Sequence, residues 1–127
     1  MPFQAARIIS LVPGGVIVQR RAVKLDAQGR AVAVAAITDN PVGIALESAA
    51  AANGPAITIA LLDGAKVEIE SGLAGTITPG DLVNILADGR ATNAAVATSR
   101  NLGIALTSAT AAGQYLTIVA APIGRVN

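Results

Sequence analysis

The chain has 127 residues, enough for one domain with a buried core, and a formal charge of +1, too near neutral to point to nucleic acid or a membrane surface. It has no histidine and no cysteine, which removes the commonest general base, the best nucleophile, disulfides and thiolate metal sites. Hydrophobic residues make up 53% but aromatics only 2%, Phe3 and Tyr115, so the core must be built from small side chains. At about 25 cal/mol per Å² buried, such a core stabilises a lone subunit poorly, and a homo-oligomer is expected.

Residues 1–21 read as an N-terminal arm and lead-in strand: a mildly apolar stretch with no basic leader, a turn at Val12-Pro13-Gly14-Gly15, and a short strand over 16–18 ended by Gln19-Arg20-Arg21. Residues 22–25 and 30–35 are extended pieces around Asp26-Ala27-Gln28-Gly29, where the glycine supplies a positive φ. Asp39-Asn40-Pro41 is a second turn and residues 42–47 a strand. Residues 48–54 are a loop with at most one helical turn, because Asn53-Gly54-Pro55 ends the alanine run before a helix can sustain itself.

Residues 56–62 form a strand with Ile57, Ile59 and Leu61 on one face. Lys66-Val67-Glu68-Ile69-Glu70 alternates strictly, two apolar residues inward and three charges outward. It opens a linker, 65–80, that closes on Thr78-Pro79-Gly80-Asp81. Strands over 82–86, 102–106 and 115–120 follow, with a turn at Asp88-Gly89-Arg90. The mean hydropathy is +0.61, yet Asp39-Asn40-Pro41 and Glu47 split the longest apolar run well short of the ~20 residues of a spanning helix, so no membrane is expected.

The chain repeats itself. Val42-Gly43-Ile44-Ala45-Leu46 returns as Leu102-Gly103-Ile104-Ala105-Leu106, and the same offset of 60 lays Val23 on Val83, Gly29-Arg30-Ala31 on Gly89-Arg90-Ala91 and Ser48-Ala49 on Ser108-Ala109. One residue then drops out, so that Thr58-Ile59 meets Thr117-Ile118. The expected fold is all-β: a small antiparallel β-barrel of β-tulip or β-clip type, residues 22–127, made of two copies of one unit, 22–64 and 81–124.

Chemistry-bearing residues are sparse. Glu68 and Glu70 share a strand face with Lys66 and flank no apolar pocket, which fits a solvated charged strand rather than an acid and base pair. No catalytic residue, cofactor site or metal site is expected. Arg20-Arg21-x-x-Lys24 has the charge to grip phosphate but lacks interleaved aromatics, so no nucleic acid is expected and an ion-paired interface or solvated patch is the reading. Arg7, Arg20, Arg21, Lys24 and Arg30 make the first thirty residues basic, and the middle is acidic, a split suited to unlike surfaces of like subunits or to an acidic partner.

The succession Gly-Asp-Leu-Val (80–83), Asp-Gly-Arg (88–90), Leu-Gly-Ile-Ala-Leu (102–106) and Ala-Ala-Gly (111–113) resembles the capsid cement, or head-decoration, proteins of tailed bacteriophages. Gly29-Arg30, residues 42–47 and Gly54 of the first copy are similar in the same way, though Gln19-Arg20-Arg21 stands where that pattern has a Gly-Asp turn. The resemblance implies a trimer on the outside of a virion head, made in the host cytoplasm, that clamps neighbouring major capsid proteins. The capsid or subunit interface is then expected at Phe3, Arg7, Ile8, Ile9, Arg20 and Arg21, with the arm lacking a partner strand until it adds to a sheet edge of the shell; the alternative is that the arm completes the barrel itself. The competing class is a small interaction module of β-clip or carbohydrate-binding type, against which stands the scarcity of aromatic platforms.

Overall fold

Short runs of branched apolar residues, cut by Gly, Asp and Pro, give short strands. A computed structural model describes residues 7–73, 75–94 and 100–120, and these hold ten strands and no helix. The first antiparallel sheet contains β1 (Ile8–Leu11), β2 (Ala22–Leu25), β3 (Ala31–Ala33), β4 (Gly43–Ala45) and β5 (Ile57–Leu61), in the order β1-β5-β4-β2-β3. The second contains β6 (Lys66–Glu70), β7 (Leu82–Ile85), β8 (Ala91–Thr92), β9 (Asn101–Ala105) and β10 (Tyr115–Ala120), in the order β6-β10-β9-β7-β8. Counted from the first strand of each, the neighbours come in the same order.

Turn chemistry sets the β2–β3 and β7–β8 hairpins as expected. Gly29 and Gly89 take φ of 78° and 84°, a region closed to most side chains. The Asp26 carboxylate accepts from the Gln28 and Arg30 amides, and that of Asp88 from the Arg90 amide.

The expected barrel does not form. Both sheets are open, because β3 has three residues and β8 two, too few for a ladder that would close round to β1 or β6. Among the described residues only isolated parallel bridges, Pro13 with Ala31 and Ser71 with Ala91, cross from one edge toward the other. The arm is also corrected over residues 8–11: Ile8 pairs with Ala60, Ile9 with Ile59 and Leu11 with Ile57, so β1 is an edge strand satisfying one side of β5. Residues 16–18 shrink to a bridge between Ile17 and Ala49.

Alternation along the strands sends side chains into two cores. Under the first sheet lie Ile17, Val23, Ala31, Ala45, Ile57 and Ile59. The larger core joins the sheets: Ala22, Ile44 and Ala60, from the other face of the first sheet, are buried with Val67, Ile69, Val83, Ile85, Leu102, Leu116 and Ile118 of the second. The middle of the first sheet is therefore buried on both faces, with Ile9 and Leu25 left exposed at the rims of the face that carries the smaller core.

Candidate interaction surfaces

Where the sheets meet, the segment leading into β2 is fixed to β6 by main chain and charge. Arg20 adopts φ of 64°, donates its amide to the Ala45 carbonyl at 2.7 Å and accepts from the Glu70 amide at 2.7 Å. Its guanidinium lies 3.4 Å from Glu68. Arg21 donates to Glu70 at 3.2 Å, and Arg90 stands 3.7 Å from the other Glu70 oxygen and 2.7 Å from Asp88. The Ala22 amide donates to the Gly89 carbonyl at 2.9 Å. Glu70 is thus half-buried and held by two arginines, where a solvated position was expected; Glu68 and Lys66 do face outward.

Other carboxylates tie down turns. Asp39 Oδ2 accepts from the Ala35 and Ala36 amides and from Lys24 Nζ at 2.9 Å. The Ala35 amide foremost, with the Lys24 ammonium next, holds its carboxyl below the usual range. Asp81 is lowered by the Asn93 amide group and then the Thr78 amide. Asp26 is lowered by the Arg30 amide, with that residue's guanidinium adding to it. Among the described residues no three acidic side chains converge as a metal site would require.

Two features face outward. One is an apolar row across the second sheet: Leu82 lies opposite Ile104, and Ile104 opposite Val119, with Leu106 also exposed nearby on the chain. The other is a cleft of about 320 Å³ between the Pro13 turn and the 47–57 loop, walled by Ala49, Ala50, Ala51 and Ile57 with Glu47 at its side. Its walls carry no aromatic ring for stacking a sugar or base.

No family model matches the chain, and no curated protein matches it in sequence. A solved structure matches it in fold. The crystal structure of the head fiber gp8.5 N base in bacteriophage phi29 superposes with a TM-score of 0.66, over 91% of this chain and 93% of that one, at 18% identity. The two share a fold.

Of the residues singled out from the sequence, Phe3 lies outside the described residues. Arg7 is exposed, with its amide donating to Asp63 at 2.9 Å, and Ile8 and Ile9 are exposed on edge strand β1. Arg20 and Arg21 are brought together, but against Glu68 and Glu70 of their own chain rather than left open to a neighbour's acidic surface. The row Leu82, Ile104 and Val119 was missed, since strand periodicity alone reads such residues as core. A signal existed in the repeat: where the first copy has Ala22 and Ala60, the second has Leu82 and Val119.

Proposed function

We propose that this chain is a structural protein of a tailed-phage virion, carried on the outside of the head, where it assembles as a homotrimer and holds neighbouring major capsid proteins without catalysing a reaction. The observation that carries this is the fold shared with a phage head fiber base over more than nine-tenths of both chains, alongside the cement-like order of motifs in 80–113. The same reading makes the chain a duplicated unit, supported by the matched strand orders of the two sheets.

The capsid contact centres on the edge of β1 and the residues before it. An outermost strand offers a row of main-chain groups to which a shell protein can add a strand, and Arg7, Ile8 and Phe3 stand beside that edge in sequence. The test is sedimentation of purified protein with phage heads that lack it. Co-sedimentation that weakens modestly with added salt is expected, and deleting residues 2–6, which spares β1, is expected to reduce it. Protein that stays in the supernatant with heads of every candidate host phage refutes the proposal.

A further inference from the structure

The same ladder positions have opposite fates in the two sheets. Ala22, Ile44 and Ala60 sit side by side across β2, β4 and β5 and are 1%, 0% and 1% exposed, sealed in the core they share with the second sheet. Their counterparts across β7, β9 and β10 are Leu82, Ile104 and Val119, of which Leu82 is 45% and Ile104 48% exposed. The opposite faces show the converse. Val67 and Ile85, on the face of the second sheet that shares the core with the first, are 7% and 1% exposed. Ile9 and Leu25 hold the same registers in the first sheet, Ile9 opposite Ile59 as Val67 is opposite Ile118, and Leu25 opposite Ala31 as Ile85 is opposite Ala91. They are 37% and 47% exposed.

The outer row of one sheet against the opposite face of the next is a contact this chain already makes once, internally. At its two ends the chain presents both halves of that contact unmade.

We propose that a second copy of this chain completes it, seating the row Leu82, Ile104 and Val119 of one subunit against the exposed rims of the next at Ile9 and Leu25, which flank its buried smaller core. The joint is heterologous, because different surfaces meet, so successive copies close into a ring if the rotation between them divides a full turn. Three copies would then place six sheets in one cycle, each packed on its neighbour as the first is packed on the second within the chain. Exposed apolar rows of this kind are what monomers avoid. The inference rests on the duplicated-unit reading and not on a location in a virion.

The test uses two full-length variants, Ile104→Asp and Leu25→Asp, each at an exposed position and checked for unchanged circular dichroism. Size-exclusion chromatography with light scattering at tens of micromolar should show a discrete oligomer for the unsubstituted chain and monomers for each variant. Mixed in equal amounts, the two variants retain one good face each, and a 1:1 dimer should form and go no further. A monomeric unsubstituted chain, an oligomer that survives either substitution, or a mixture that stays monomeric overturns the proposal. Loss of head binding alongside an intact mixing result would instead sink the virion reading alone.

Discussion

Arg20 shows how one backbone conformation can be met by two chemistries. Its φ of 64° and the 2.7 Å bond from its amide to Ala45 are matched in the second half by Gly80, at φ of 93° with a 2.8 Å bond to Ala105. The first half thus keeps the turn of the cement-like pattern while replacing its glycine with a cation that reaches Glu68. Arg20→Ala and Arg20→Gly both remove that ion pair, but only glycine relieves the left-handed strain, so the glycine variant should be the more stable by about 1 kcal/mol in urea unfolding. Equal midpoints would show that the strain is absorbed elsewhere. Asp39, Asp26 and Asp81 carry carboxyls depressed in the folded state by the amides and cations already named. A depressed carboxyl contributes stability above its unfolded value of about 4, and that stability is lost as pH falls through the lower folded value. The melting temperature should therefore be level from neutral pH down to about 5 and fall below about 4, and Asp39→Asn should shrink the fall. The glycine of the repeated signature was visible in the sequence, but its reason was not: a Cβ at Gly43 would collide with the Ala60 carbonyl oxygen and one at Gly103 with that of Val119, contacts made by strands that follow much later in the chain.

Elements that depend on neighbours in sequence were legible and those that depend on distant partners were not. Residues 66–70 alternate so cleanly that their strand and its inward face could be read directly, and the Asp26 to Gly29 turn carries its own signal. Ile8-Ile9-Ser10-Leu11 has no alternation, and its partner β5 lies some fifty residues away, so the segment read as an arm. Barrel closure failed for a similar reason, since it turns on how far β3 and β8 extend. The β6 charges were read as solvated because nothing local announces Arg21 and Arg90. A double-mutant cycle on Arg21→Ala and Glu70→Ala should give a coupling of about 1 kcal/mol, since the pair is half-buried and shared with Arg90; a coupling within error of zero would make the contact a passive one.

At the scale of the molecule, one core serves both sheets. Ala22, Ile44 and Ala60 of the first sheet are buried in one cluster with Val67 and Ile85 of the second. Residues 1–64 and 65–127 expressed apart should each be unfolded or aggregated by circular dichroism and light scattering, and recover a β signal only when mixed or joined. A folded, soluble half would show that the shared core is dispensable. That the middle of the first sheet is buried on both faces was not legible, because the residues at the positions 60 apart are apolar in each.

The sheets are connected through residues 62–65, a joint so short that the contact between them never has to be found by diffusion. Tethering of that kind holds two surfaces at an effective concentration on the order of millimolar. In the proposed ring every second contact would therefore be indifferent to dilution, and the others would obey mass action. As concentration falls, an assembly of the kind proposed would come apart in whole chains, each still holding one finished joint as the template on which the next is made.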